Sequence, residues 1–295
     1  YMEFDSWDYL ENDDVLKNAS VSNPPTVLRR INRKLGVRAG IPFKHSFKTT
    51  MTFEGLNNND RYINGEIFTS TDKLDILQLK GYKAGISLSS NTLNRKQYAS
   101  SGQAFSLTAD FFNVTEYFTP GSTWVIPDST EARHQWWRLK VNAEQYFGSS
   151  WFKPGYFFEA VFSDQPFFQN YYGTIINTPG FFPLQDSRTL ILENFRSFNY
   201  IGAGIRNVIS LHNKVDFRLE GYLFKPFEYI RPNADQDAYS NETIESIFFC
   251  GTAGIVYHSP IGPVSLSLNY YDDDRNQLGV LLHVGFLLFN KHSLE

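Results

Sequence analysis

The sequence predicts an all-β fold, a transmembrane antiparallel β-barrel, from three features. Apolar and polar side chains alternate with a period of two residues, which puts them on opposite faces of a strand. The alternating segments are about ten residues long, as tilted strands need to cross a hydrocarbon core. Short connections also alternate with long polar ones. We therefore expect about 11–12 strands in this chain of 295 residues.

Eleven segments show the alternation. In chain order they are 34–41, 45–54, 77–89, 103–112, 136–147, 156–162, 200–209, 214–223, 247–257, 264–271 and 278–288. Residues 1–32 begin with an acidic stretch, and we expect an acidic leader there with a possible extra strand and loop. Residues 33–295 are then the barrel domain.

Charged side chains share one face in two of these segments, while apolar side chains share the other. Because the outside of a membrane barrel must be apolar, we expect the charged face to line the lumen. The predicted lumenal charges are Arg138, Lys140, Glu144, Lys214, Asp216, Arg218 and Glu220.

The connections differ in length on the two sides of the predicted sheet. Short connections are expected at 148–150, 211–213 and 258–262, and long ones at 120–133, 163–197 and 225–245. Outer-membrane barrels have short periplasmic turns and long extracellular loops. We therefore expect a periplasmic carboxy terminus, with 61–70 in an extracellular excursion.

Aromatic residues make up 17% of the chain, and many lie near the ends of predicted strands. Rings at these positions are typical of the girdles that meet the lipid headgroups. The predicted girdle residues are Trp136, Trp137, Trp151 and Tyr270. A soluble β-sandwich that stacks exposed rings on a ligand is an alternative interpretation of the same pattern.

Several function classes have no support in the sequence. A net charge of −4 provides no basic field for nucleic acid. The six histidines have no metal-ligand spacing, so we expect no metal site. Gly85–Ser89 lacks the last glycine of a hydrolase elbow, and no cofactor-binding motif is present. We therefore expect no catalytic residues, no cofactor and no enzyme activity in this chain.

The segment Phe195-Arg196-Ser197-Phe198 resembles the V-R-G-F/Y motif of the bacterial surface-antigen barrel superfamily, which includes BamA. The ending at 262–289 resembles the last two strands of that superfamily. The resemblance implies a barrel of 16 strands, with the motif in a long loop folded into the lumen. It also implies that Arg196 meets an acidic residue on a strand, and Glu220 is the expected partner. Phe195 and Ser197 depart from the small aliphatic residue and the glycine of the motif.

Residues 92–99 and 192–196 more narrowly resemble the barrel half of patatin-like phospholipases of Bacteroidetes. This resemblance implies an upstream patatin domain, for which the barrel is an outer-membrane anchor or translocation domain. The implied partners are outer-membrane lipid, the barrel-assembly machinery for insertion and the patatin domain. A passive, porin-like solute channel is a second alternative.

Overall fold

A computed structural model of the chain describes residues 1–9, 28–43, 46–63, 72–124, 128–148, 150–241, 246–273, 277–286 and 294. The strands are β1 (Met2–Tyr9), β2 (Leu28–Phe43), β3 (Phe47–Tyr62), β4 (Asp75–Asn91), β5 (Gly102–Thr119), β6 (Thr130–Tyr146), β7 (Phe152–Ser163), β8 (Tyr200–His212), β9 (Val215–Pro226), β10 (Tyr229–Pro232), β11 (Ala238–Asn241), β12 (Phe248–Ser259), β13 (Gly262–Tyr271) and β14 (Leu278–Val284). One helix, α1, covers Tyr171–Asn177, and a 3-10 turn covers Glu193–Phe195. No helix in these ranges is long and apolar enough to cross a bilayer.

Twelve strands form one antiparallel sheet in the order β1-β2-β3-β4-β5-β6-β7-β8-β9-β12-β13-β14. Each strand pairs with its neighbours along the chain, and β10 and β11 form a separate hairpin between β9 and β12. Within the described residues, β1 pairs only with β2 and β14 only with β13. The predicted all-β, antiparallel class is confirmed.

The strands fall into a long group and a short group. β2 to β6 have 16 to 18 residues each. The remaining members of the sheet after β6 have 7 to 13. Segments of about ten residues were too short for the first group, because these strands continue past the apolar part of their outer face. Arg61 consequently lies in β3, whereas 64–70 lie outside the described residues.

The predicted leader contributes to the sheet. β1 pairs with β2 without interruption from Met2↔Leu35 to Tyr9↔Leu28, and position 32 lies inside β2. The connection 225–245, expected to be a loop, contains the last two residues of β9 and the β10–β11 hairpin. A two-stranded excursion of this kind gives little periodic signal, because each strand has only four residues.

The two faces of the sheet have opposite character. On the outer face, Val37, Leu278 and Val280 are 70 to 74% exposed. On the inner face, Glu54 and Asp60 are at most 3% exposed. Soluble proteins bury apolar side chains and expose charged ones. This distribution is the reverse, and it requires apolar surroundings outside the sheet.

Candidate functional site

The candidate site is the interior of the curved sheet, which is filled by the plug segment, residues 164–199 between β7 and β8. All seven residues of α1 are buried there. The Asn170 side chain accepts from the Gly173 amide and so caps the helix. From β2, Arg30 donates to the Ile176 carbonyl at 2.9 Å and to Asn177 Oδ1 at 2.8 Å. The helix is therefore fastened to the strand wall by hydrogen bonds as well as by apolar contacts.

The second half of the plug segment packs on the opposite wall. Apolar side chains of the plug and of strands β7, β8, β9, β12 and β13 form one buried cluster. Asp186 of the plug accepts from Asn269 Nδ2 at 2.7 Å and from the Tyr271 hydroxyl. Because the plug contacts both walls, it occupies the width of the interior.

The predicted loop motif lies in this plug. Phe195, Ser197 and Phe198 are at most 4% exposed. The Phe195 ring lies 5.6 Å from the Phe224 ring, and Ser197 Oγ donates to the Asn199 carbonyl at 2.8 Å. The aromatic ring at position 195 fills space between plug and wall, which a small aliphatic residue would leave empty.

Arg196 does not pair with Glu220, and that prediction is wrong. Its Nη1 donates to the carbonyls of Ile175, Ile176 and Thr178 at 3.0 to 3.3 Å. These carbonyls lie at the C-terminal end of α1, where the last turn of a helix leaves carbonyl groups without partners in the helix. The arginine thus holds two parts of the plug together.

Glu220 belongs to a separate cluster of charges on the inner wall. Arg218 Nε donates to Glu220 Oε1 at 2.8 Å, and the Tyr222 hydroxyl donates to Oε2 at 2.5 Å. Arg206 lies 3.9 Å from Glu220 and also pairs with Glu144. Two arginines and two glutamates therefore neutralise one another in the interior, as buried charges must.

Three further predicted lumenal charges have partners of opposite sign. Arg138 pairs with Asp110 at 3.1 Å, and Lys140 with Glu159 at 3.0 Å. Asp216 accepts from His258, whose Nε2 lies at 2.7 Å, and from Arg95 at 3.3 Å. The charges of these three side chains on the inner wall are therefore neutralised by neighbouring side chains.

Lys214 is not a lumenal charge. It lies in the exposed turn between β8 and β9, so the prediction for this residue is corrected. In the described parts of the chain, no group of three or more His, Cys, Asp or Glu side chains could hold a metal ion.

A second interior element is formed by residues 92–101 between β4 and β5. We call it the short-end segment, because it lies at the end of the sheet where the connections near residues 148, 213 and 260 are short. Arg218 Nη1 donates to the Ala99 carbonyl at 2.8 Å, and the Tyr98 hydroxyl lies 2.7 Å from Ser265 Oγ. Burial raises the pKa of Tyr98, which keeps its hydroxyl neutral. This connection therefore crosses the interior from β4 to β13 instead of turning directly into β5.

A cavity of about 120 Å³ lies between the plug and the short-end segment. Its lining includes Tyr98, Leu184, Arg218 and Glu220. Pockets for drug-sized ligands commonly measure roughly 300–1,000 Å³. This space is small by that measure, and the arginines and glutamates that line it already have partners.

The predicted girdle aromatics separate into two kinds. Trp137, Trp151 and Tyr270 are 61%, 65% and 37% exposed on the outer surface. Trp136 is 1% exposed and stacks on the Phe112 ring at 4.7 Å inside the sheet, so its girdle prediction is wrong.

Comparison with known proteins identifies a similar fold but no match in sequence to a family model or a curated protein. No protein-family model and no curated protein matches the sequence. Among solved structures, the crystal structure of BamA from Haemophilus ducreyi lacking POTRA domains 1–3 is similar, with a TM-score of 0.54 and 11% identity. The match covers 86% of this chain and 53% of that chain. The chain thus has a β-barrel fold similar to that of BamA and spans about half the length of that structure.

Sequence reasoning missed Arg206 and the interior position of residues 92–101. Arg206 lies in a predicted strand, but glycines at 202 and 204 interrupt the run of side chains that would have marked its face. The signal that was available is the two-residue alternation, which puts Arg206 on the same face as positions 202 and 204. In the structure it lies opposite Glu220 of β9.

Proposed function

We propose that this chain is a filled outer-membrane barrel that anchors, or passes cargo for, an upstream patatin-like phospholipase domain. The observation that carries the proposal is the reversed distribution of polarity: the outside is apolar, while the inside contains paired charges and a plug. A soluble ligand-binding sandwich would have to expose that apolar face to water, at roughly 25 cal/mol for each Å² of apolar surface. The catalytic motif then belongs to another part of the parent protein.

The membrane location is supported by the length of the strands and by the grouping of short connections at one end of the sheet. The connections near residues 148, 213 and 260 are short, and β14 runs toward that end of the sheet. We propose that this end is periplasmic, with the carboxy terminus there, and that insertion requires the barrel-assembly machinery. Protease protection in liposomes tests the location: peptides from β9 should survive digestion, and cleavage within β9 as fast as within residues 233–237 would refute it.

The plug supports an anchor over a passive solute channel. A porin-like pore needs a continuous aqueous path, whereas here α1 and the apolar side chains around it fill the interior. Planar-bilayer recording tests this point. We expect no stable large conductance from the intact chain. Steady large currents would instead favour the channel.

The patatin part of the proposal is supported by the resemblance of two segments, 92–99 and 192–196, both of which face the interior. Its test uses the natural protein isolated from outer membranes. A fluorophosphonate probe, which labels activated serines, should label a chain that contains this barrel and exceeds 34.0 kDa. A barrel-containing chain that is never labelled would refute the phospholipase part and leave the membrane location intact.

A further inference from the structure

A row of cationic and polar side chains crosses the outer face of β2 to β6. The strand register aligns Arg33 with Asn57, Asn57 with Lys80, Lys80 with Thr115, and Thr115 with Arg133. We call these five residues the cationic row. Neighbouring strands lie about 4.8 Å apart, so the three cations, on alternate strands, follow one another at roughly 10 Å.

The cationic row lies on the same face as an apolar row, four residues away along the strands. Four residues further along β2 than Arg33, the register aligns Val37, Phe53, Ala84, Phe111 and Trp137 across the same five strands. Four residues of strand correspond to about 13 Å, and less along the normal of a tilted strand. If the apolar row contacts hydrocarbon, the cationic row lies at the depth of the lipid headgroups.

The cations of the row differ from those of the interior. Arg33, Lys80 and Arg133 are exposed, and in the described ranges no carboxylate lies within 4.0 Å of any of them. Arg33 lies over the Phe4 ring at 5.8 Å and Lys80 over the Tyr117 ring at 5.1 Å. Arg133 Nε donates to Asn113 Oδ1 at 3.1 Å. These contacts orient the three side chains but leave their charge uncompensated, which suits an anionic ligand.

An apolar groove adjoins the row and indicates what kind of anion would bind. It has a volume of about 860 Å³, and Arg33 lies at it beside Leu35, Val37 and Phe53. Gly55 also lines the groove. Glu3 and Lys34 also line the groove, but they neutralise each other at 3.1 Å. A groove that combines an unpaired arginine with apolar side chains matches a lipid, whose phosphate and acyl chain are joined, better than a free phosphate ion.

We propose that the cationic row binds the phosphate headgroups of anionic membrane lipids. Arg33, Lys80 and Arg133 would each contact phosphate oxygens of an adjacent lipid, and the groove would hold the upper acyl chain of the lipid at Arg33. The inference rests on the proposed membrane location and adds a selective lipid contact to it. Lys and Arg can extend from an apolar surface to the headgroups, so an exact match of depth is not required.

The test compares retention of phosphatidylglycerol with phosphatidylcholine by native mass spectrometry after reconstitution and mild extraction. The intact chain should keep phosphatidylglycerol in preference. R33Q/K80Q/R133Q should lose the preference, by roughly fivefold for each cation removed. K48Q/K96Q/K214Q removes the same charge from exposed residues in or near the short connections and should keep it.

Two further arms separate the lipid from other anions. Gly55→Leu should lower lipid retention without changing the charge, because its side chain would fill part of the groove. The fold should tolerate it, since a Cβ at position 55 meets only the Leu35 carbonyl oxygen, at 3.7 Å. Inorganic phosphate at the ionic strength of a chloride control should not displace the lipid. Displacement by phosphate beyond that control would overturn the lipid assignment in favour of a free-anion site.

The inference and the membrane proposal fail in different ways. A triple variant that inserts normally and keeps the full preference overturns the cationic row while the barrel remains in the membrane. Cleavage of β9 in the liposome assay refutes the membrane location for the intact chain. Where the triple variant does not fold, R133Q alone should lower the preference by roughly fivefold, and an unchanged preference overturns the inference.

Discussion

The charge cluster around Glu220 makes a quantitative prediction about stability. In Glu220→Gln, the side chain keeps nearly the same shape but loses its charge. Arg206 then keeps its ion pair with Glu144, whereas Arg218 loses its carboxylate partner. Arg218 and Glu220 side chains are 6% and 10% exposed, so water compensates little of the change.

Removal of one partner from a buried ion pair costs about 3–5 kcal/mol. Because glutamine still accepts a hydrogen bond, we expect the lower end, about 3 kcal/mol of unfolding free energy. Denaturant titration of the reconstituted chain, followed by tryptophan fluorescence, gives the free energy from the midpoint and slope. Lys214→Gln is the control, since it removes one charge from an exposed turn, and its effect should stay within about 0.5 kcal/mol.

A double-variant cycle separates the pair from its surroundings. Arg218→Met together with Glu220→Gln removes one charge of each sign, so the double variant should be less destabilised than the sum of the single variants by at least about 1 kcal/mol. Strict additivity would contradict the pairing. So would a Glu220→Gln variant with the same midpoint as the Lys214→Gln control.

Three other substitutions, two of them with a matched control, test the packing. Trp136→Ala should cost about 3–5 kcal/mol, because it empties a stacked interior site, and Trp137→Ala about 1 kcal/mol or less; unfolding titrations compare them. Gly81→Ala should destabilise by more than about 2 kcal/mol, because its Cβ would lie 2.0 Å from a carbonyl oxygen of β5, while Gly55→Ala should be neutral or slightly stabilising. Arg196→Ala should speed proteolysis within the plug and leave the strands protected, because helix carbonyls lose their donor.

Each comparison has a result that would contradict it. Equal costs for the two tryptophans would mean that Trp136 is not packed in the interior. Equal stability of Gly81→Ala and Gly55→Ala would contradict the close approach of β4 to β5. An Arg196→Ala plug that resists protease as long as the unsubstituted chain would show that these three hydrogen bonds do not hold the plug together.

Most of the fold was predictable because two-residue alternation reports directly on the two faces of a strand. The segment at 214–223 is an example. Asp216, Arg218 and Glu220 alternate with apolar residues, and β9 places these three side chains on its inner face. The same rule could have corrected Trp136, which shares its parity with Arg138. Grouping aromatics by type instead of by face produced that error.

The interior contacts were not predictable by the same rule. Arg196 bonds to the end of a seven-residue helix, which is too short to show helical periodicity in the sequence. The crossing of residues 92–101 depends on partners more than 100 positions away, such as Asp216 for Arg95. Alternation identifies the face of a residue but gives no information about which distant segment fills the space.

The unequal strands have a consequence for neighbours in the membrane. β2 to β6 stand several residues taller than the strands that follow β7. In a bilayer of even thickness, the strand wall of such a barrel would extend further from the membrane at β2 to β6 than at β8 to β14, so a neighbouring molecule would meet strands of different height on its two sides. Orientation within the plane of the membrane, which a barrel of uniform height would leave undefined, is thereby encoded in strand length.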